Sequence, residues 1–364
     1  MKAGIVGLPN VGKSTLFNCL TNSKAQSANF PFCTIEPNVG VVNIPDKRLN
    51  RIVELIDPEK IVPNTVDIVD IAGLVKGASK GEGLGNQFLS NIRETNAIIH
   101  VLRCYQDKNI THVEGNVDPL RDKEIVDFEL QLKDMESLEK RKEKIIKYLK
   151  IGGNEYKKEY EYIEELIEHL KKGLSLRDFN IDNISFEKYL KPLSLLTLKP
   201  VLYVCNIDEK LINNNDQLLT STVEYLEKEN SKIIIIAAKI EQEINELDSF
   251  EDRQVFLNDY GLKDSGTSLL INEAHKLLNL STFYTAGKKE VRAWTFLNGS
   301  KAPKAAGVIH SDFEKGFIKA EVMKFDDFDE YQSEAKVKEA GKLKTEGKDY
   351  TVCDGDIIHF RFNN

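Results

Sequence analysis

The nonapeptide GLPNVGKST, Gly7 to Thr15, sets Gly7, Gly12, Lys13 and Ser14 at G-x-x-x-x-G-K-[ST] spacing. Each residue type has a task in holding a polyphosphate. The glycines let a loop curl until its backbone N–H groups face inward, the lysine neutralises the terminal phosphates, and the hydroxyl ligates the accompanying Mg²⁺. Asn10, Val11 and Thr15 complete the candidate cradle, and Lys13 is also the candidate charge stabiliser during phosphoryl transfer. Further on, DIVDIAGL ends an apolar run at Asp70 and puts Gly73 at D-x-x-G spacing. Asp70 would hold Mg²⁺, and the Gly73 N–H would sense the γ-phosphate. Between these motifs PFCTIEPN offers Thr34 as a second hydroxyl ligand for the ion.

The stretch YVCNIDEK carries the next chemistry: Asn206 follows an apolar run, and Glu209 lies at N-x-x-E spacing with Ile207 between them. Many proteins with this phosphate loop read guanine there with Asn-Lys-x-Asp, the aspartate accepting from the ring N1–H and the 2-amino group. Adenine offers neither donor, so a carboxylate fixed in that place would be buried unpaired, at a cost of about 1–3 kcal/mol. Glu209 has an extra methylene and need not sit there, and Ile207 replaces the lysine. The loop reads as a base reader altered towards ATP. Asn206, Ile207 and Glu209 are its candidate contacts, and Ala238 in IIIIAAK marks the backbone that touches the base next.

Hydrolysis needs an oriented water, and Ras-type enzymes place a glutamine for it directly after D-x-x-G. Here that position is Leu74, which cannot hydrogen-bond water. The group therefore comes from elsewhere, or turnover is slow. His112, in the loop after AIIHVLRC and on the side expected to face the phosphates, is the candidate within the chain. A plain surface-loop histidine is the alternative reading. His100 lies inside the strand and reads as packed.

The frame for these residues is an alternation of strands and helices. AGIVGL, VDIVDIAG, AIIHVLRC, KPVLYVCN and SKIIIIAAK read as buried strands, and KSTLFNCLT has helical spacing, which predicts a parallel sheet covered by helices. Residues 1–124 and 196–279 would form this nucleotide domain. Between them, 125–195 is rich in Glu and Lys. Phe128, Leu132 and Met135 recur on one run and Tyr156, Tyr160, Ile163 and Ile167 on another, with IGGN as the turn. That predicts an inserted antiparallel helical hairpin of coiled-coil type. Residues 280–364 read as a small α+β domain with strands at EVRAWTFL, VIHSDF and IIHFRF. His310, Asp312 and Glu314 alternate there as metal ligands might, although a solvated strand edge reads better and no metal is assigned. Residues 287–304 carry five basic residues against one acid, a local patch in an otherwise balanced domain.

With 41% hydrophobic and 30% charged residues the chain has ordinary globular composition, and 364 residues suit two or three domains. A net charge of −8 argues against broad non-specific attraction to nucleic acid, DNA included. The five cysteines are scattered without a C-x-x-C pair, as free thiols in a reducing compartment would be. No signal peptide and no run near the roughly 20 apolar residues of a membrane helix is visible, so the expectation is a cytoplasmic protein with no membrane partner.

Taken together, GLPNVGKST, FPFCTIEPNVG, DIAGLVKGAS, GEGLGNQFL, the N-x-x-E of Asn206 to Glu209 and AAGVIHSDFEKGFIKAEV resemble the YchF-type, or Obg-like, ATPases over the whole chain. The resemblance implies a Ras-like α/β P-loop domain, an inserted helical hairpin and a C-terminal TGS domain of ubiquitin-like β-grasp fold. It implies ATP as the preferred substrate over GTP, Mg²⁺, and association with ribosomes, the large subunit in particular, or RNA through the TGS domain and hairpin, in translation or stress control. Asn10 resembles the asparagine with which some relatives bind K⁺ beside the phosphates, a loop-shaping role being the alternative. Ala237 departs from the family, which often has Ser or Cys there, so the base contact next to it is in doubt. A nucleotide-gated binding module in which hydrolysis is incidental is the rival function.

Overall fold

The computed structural model describes residues 1–21, 38–73, 84–212, 214, 216–247 and 249–363. They fall into two compact units, Met1–Gly40 with Asp67–Leu270, and Val41–Val66 with Ile271–Asn364. The strands up to the base-reading region are β1 (Lys2–Val6), β2 (Val39–Asn43), β3 (Ile61–Val62), β4 (Thr65–Asp70), β5 (Ala97–Arg103), β6 (Val201–Asn206) and β7 (Lys232–Ile236). All but β3 form one sheet in the order β2-β4-β1-β5-β6-β7. The pairs from β4 to β7 are parallel. Every residue of β5 is buried, as a central parallel strand covered on both faces requires. In such a sheet the carboxyl ends of the strands share one edge, and loops there can converge on a ligand.

Helix α1 (Lys13–Thr21) starts at the phosphate-loop lysine, α2 (Lys47–Ile56) and α3 (Leu84–Arg93) follow, and α4 (Pro119–Lys150) runs 32 residues, about 48 Å at 1.5 Å per residue. Asp118 caps α4, accepting from the Arg121 N–H, and Pro119 at its first position needs no donor. The chain reverses through Gly152, at φ 93°, into α5 (Lys157–Lys171). A single turn α6 (Asn183–Ser185) and short 3₁₀ and π turns lead back to the sheet. The hairpin is thus real but unequal. Its seam is Leu138, Ile145, Ile163, Leu166, Ile167 and Leu170, closed by Leu176, Leu190 and Leu195 from the turns after α5. Phe128, expected on the seam, is 58% exposed, and α4 begins at residue 119, ahead of the expected 125. After β6 come α7 (Gln217–Lys228), α8 (Ala238–Glu246), α9 (Phe250–Asp259) and α10 (Gly266–Leu277). The buried Glu241 of α8 accepts from the Gly266 and Thr267 N–H groups and so caps α10 from outside.

The second unit holds β8 (Leu280–Ala286), β9 (Val291–Leu297), β10 (Phe317–Lys324), β11 (Lys344–Glu346) and β12 (Asp356–Phe362). Its sheet runs β11-β10-β12-β8-β9-β3. Residues 41–66 were expected in the nucleotide domain, yet β3 pairs in parallel with β9, Ile61 opposite Val291. Leu49 and Ile52 of α2 are buried with Tyr284, Val291, Ala293 and Met323. The amphipathic pattern of α2 demanded a cover without saying which sheet would supply it. The strand expected at VIHSDF is a correction: that stretch ends α11 (Ala302–Ile309) and continues as α12 (Ser311–Lys315). Buried Ala302, Ala305 and Ala306 let α11 lie close on the sheet, a helical spacing that outweighs the β-branched Val308 and Ile309. His310 accepts from the Asp312 N–H as the cap of α12, so His310, Asp312 and Glu314 share no strand face. Helices α13 (Phe325–Tyr331) and α14 (Glu334–Glu339) complete the unit. No helix among the described residues is long and apolar enough to cross a membrane. The four described cysteines are free, and Cys19, Cys104 and Cys205 are buried.

Candidate nucleotide site

The loop from Gly7 to Gly12 leaves the carboxyl end of β1 and enters α1 at Lys13. Asn10 is left-handed at φ 62° and Gly12 at φ 99°. A Cβ on Gly12 would lie 2.3 Å from Asn206 Nδ2, so that position accepts only glycine. Lys13 is buried and its Nζ donates to the Leu8 carbonyl at 2.7 Å. Burial lowers its pKa to about 8, against the pull of the Asp70 carboxylate. Gly73 closes on the same amine: a Cβ there would meet Lys13 Nζ at 3.1 Å and Pro9 at 3.2 Å.

Ser14 Oγ lies 3.4 Å from Asp70 Oδ2. Asp70 Oδ1 is buried with no hydrogen-bond partner among the described residues, and burial raises the pKa of this carboxyl. An unsatisfied carboxylate oxygen beside a hydroxyl is a donor set that fits a hard divalent cation. Thr34 and Leu74, by contrast, lie outside the described residues.

Asn206 ties the phosphate loop to the base-reading region. Its Nδ2 donates to the Val11 carbonyl at 2.9 Å, and its Oδ1 accepts from the Ala238 N–H at 3.1 Å. Val11 therefore contributes its backbone, its side chain being buried, while Thr15 is half-buried in the first turn of α1. Ala238 opens α8, whose cap residue Ala237 has no side chain to offer, so Asn206 supplies the missing acceptor. Ile207 has its side chain buried with Leu102, Cys104, Cys205 and Ile240, so a base contact from it would be made by its backbone. The partly exposed Glu209 lies 3.7 Å from Lys239 Nζ.

His112, the candidate for orienting water, is not a plain surface-loop histidine. It is buried, its Nε2 is 2.8 Å from Asp122 Oδ2, and its Nδ1 accepts from the Glu114 N–H at 3.2 Å. Both ring nitrogens are engaged, and the ring ties its loop to the first turn of α4. The same loop does reach the phosphate site, through a group that no side-chain pattern could announce. The Thr111 carbonyl accepts from Asn10 Nδ2 at 3.1 Å. Arg103, with no exposed surface, shapes the loop by donating to the carbonyls of Tyr105, Asp107 and Ile110 at 3.1–3.2 Å. His100 is packed as expected, its pKa lowered to about 4 by burial. In the second unit the basic patch is partly committed. Lys288 donates to the Ile56 carbonyl, Lys301 to Asp349 and Thr351, Lys304 pairs with Glu314, and Arg292 lies 3.8 Å over the Trp294 ring.

A glycine-rich loop between β1 and α1, a strand-end aspartate beside it and an asparagine bridging loop and base reader define a P-loop NTPase of the GTPase fold class, here joined to a separate C-terminal sheet. Comparison with known proteins agrees. Residues 2–150 match a family described as "50S ribosome-binding GTPase", and residues 280–363 match the C-terminal family of YchF GTPases, described as a protein of unknown function. "Ribosome-binding ATPase YchF" of Bacillus subtilis is 50% identical over 100% of this chain and 99% of its own length, and the protein of that name from Escherichia coli O157:H7 is 49% identical at the same coverage. The solved structure of the Schizosaccharomyces pombe YchF GTPase superposes with a TM-score of 0.90 at 37% identity, covering 99% of this chain and 97% of that one. The chain belongs to the YchF family.

Proposed function

We propose that this chain is a slow ATP-hydrolysing switch that works on ribosomes in the cytoplasm and prefers ATP to GTP. The observation that carries the nucleotide choice is the state of the base reader. Asn206 is fixed to Val11 and Ala238, while Glu209 is turned to Lys239 and Ile207 is withdrawn into the core. A carboxylate held that way is not the fixed acceptor that guanine needs, which removes the reason to reject adenine. Ser14, Asp70 and Thr34 would hold Mg²⁺, which would neutralise the charge that develops on the phosphates. Lys13 binds the same phosphates, and the Gly73 N–H meets the γ-phosphate. Asn10, its amide nitrogen held by Thr111, keeps Oδ1 for a K⁺ ion. Leu74 offers water no hydrogen bond, so the water-orienting group comes from His112 or from a partner, and basal turnover is slow.

The names of the relatives, ribosome-binding in each case, support the partner. The hairpin of 125–195 and the TGS domain of 280–364 would carry the contacts, to the large subunit and its RNA, and residues 1–124 and 196–279 the switch. Titration calorimetry at matched Mg²⁺ is expected to give tighter binding of ATP than GTP, and single-turnover ATPase to rise with added ribosomal particles. A tenfold preference for GTP, about 1.4 kcal/mol, would overturn the adenine reading. Fast hydrolysis without any partner would overturn the switch.

A further inference from the structure

The last strand of the second unit is paired unequally on its two sides. Along its whole length β12 pairs with β10, from Asp356 opposite Lys324 to Phe362 opposite Phe317. On the other side it meets β8 in the single register pair Ile357 opposite Tyr284. From Ile358 to Phe362 no strand pairs with it there among the described residues, a free edge of about 16 Å at 3.3 Å per residue. Alternate N–H and C=O groups along that edge point away from β10 and have no ladder partner. Each face of the sheet has a cavity beside the edge. Ile358 and Phe360 belong to the core of Phe283 and Phe296, and Ile357 to that of Tyr284 and Met323. On the first face Trp294, Ile309, Phe313, Phe360 and Phe362 line a cavity of about 480 Å³, and Phe313 stacks on Phe362 with ring centroids 3.7 Å apart. On the second face Met323, Leu343, Glu290, Glu321 and Glu334 line one of about 260 Å³. Thr285, Glu290, Ile358 and His359 line both, so the two cavities meet at the gap beside β12.

An open edge with a pocket on each face suits the addition of an extended peptide as a further strand. Main-chain hydrogen bonds hold such a peptide, and the pockets take alternate side chains. Its consecutive residues point to opposite faces. The aromatic cavity takes a bulky apolar side chain. The other has three glutamates and no lysine or arginine in its lining. Glu290 pairs with Lys60, and Glu321 with Lys319 and Arg361. That leaves Glu334, exposed and with no cation within ion-pair distance among the described residues, to select a basic side chain. We propose that the edge of β12 from Ile358 to Phe362 is a docking site for an extended peptide of another protein in which bulky apolar and basic residues alternate. The apolar ones sit against Trp294 and Phe313, and the basic ones face Glu334. A small molecule would fill one cavity and leave the edge unpaired, and a nucleic acid would bring phosphates up to three glutamates. The site goes beyond the nucleotide switch and stands without it.

Trp294 is the one tryptophan of the chain, so its fluorescence in the full-length protein reports on this cavity. The probe is a hexapeptide, blocked at both ends, that alternates phenylalanine with lysine. A saturable change in Trp294 emission is expected. Binding should be at least roughly tenfold weaker for a peptide of the same composition with its phenylalanines first and its lysines last, which cannot serve both faces. N-methylating every second residue removes donors and keeps the side chains. It should weaken binding about tenfold in one phase and little in the other, because only one set of amides faces β12. Glu334→Lys should weaken binding roughly threefold or more, with the emission of the free protein unchanged as the sign that the unit is folded. No saturable change, equal affinity for the alternating and block peptides, or indifference to N-methylation in both phases would overturn strand addition. Equal binding of a peptide alternating phenylalanine with glutamate would overturn the charge assignment. A dimer in sedimentation velocity that the peptide dissociates would give the edge to a second copy of the chain and overturn the choice of partner.

Discussion

Lys13 sits in the phosphate loop with a pKa lowered by burial to about 8. A bound triphosphate sets negative charge against its amine and restores the protonated form. Nucleotide binding therefore takes up a proton at Lys13, and the uptake depends on how much of the free protein already carries the charge. With a pKa of about 8, the neutral fraction is about 0.1 at pH 7, about 0.5 at pH 8 and about 0.9 at pH 9. Because the complex holds more protons than the free protein, affinity falls as pH rises, by about tenfold from pH 7 to pH 9, or about 1.4 kcal/mol. For folding without nucleotide, the native pKa lies below the unfolded one, so Lys13 lowers stability below pH 8 and the loss is recovered as pH climbs towards 10.5. Calorimetric titration of MgATP in buffers of different ionisation heat reads the uptake directly. Lys13→Arg, whose guanidinium stays charged throughout, should bind more weakly but show no such uptake. Wild-type uptake below about 0.1 proton at pH 8, or equal uptake in Lys13→Arg, would refute the argument.

Other outcomes follow from the same geometry. Gly12→Ala drives a Cβ to 2.3 Å from Asn206 Nδ2 and forces φ 99° on a non-glycine, so ATP binding should drop at least a hundredfold while far-UV circular dichroism is unchanged. Glu209→Asp, with the core residue Ile207 left alone, should narrow the ATP-to-GTP affinity ratio several-fold in competition binding; a ratio that widens would count against Glu209 as the discriminating residue. His112→Ala removes the partner of Asp122 Oδ2, Arg121 remaining on Oδ1, and should lower unfolding free energy by about 1–3 kcal/mol in urea titration, whereas a purely catalytic role would slow ATP turnover and leave stability as it was.

Legibility in the sequence followed the range of the interaction. Gly7, Gly12, Lys13, Ser14, Asp70 and Asn206 were readable because their tasks are set by nearest neighbours in a strand-loop-helix, and the structure brings them to one edge of the sheet. Five of the six strands of the nucleotide sheet were readable from buried apolar runs, β2 being the exception. The partner of His112 was not legible, because the loop after β5 folds back on α4, and no local pattern records which way a histidine turns when a carboxylate ten residues later can capture it. The burial of the Ile207 side chain was not read from the sequence, although its apolar character already favoured the core. Residues 41–66 join the second unit through a two-residue strand, too short to leave a periodic signal. The helix over Gly307–Ile309 was masked by β-branched residues whose partners in packing are alanines upstream.

Arg103 bears on how this protein can change over time. The loop that approaches the phosphate site is organised by one guanidinium whose acceptors are main-chain carbonyls, those of Tyr105, Asp107 and Ile110. A carbonyl is present whatever the side chain, so the residues between 105 and 111 are largely released from the duty of specifying the loop's shape. Substitution there should be tolerated far more widely than the loop's closeness to the nucleotide suggests. Most of the fragility is displaced onto Arg103 beneath the loop and His112 at its end, with Asp107 holding the Asn109 N–H between them. The loop is thus free ground for adapting the surface around the nucleotide to a different partner, provided that the arginine beneath it is left alone.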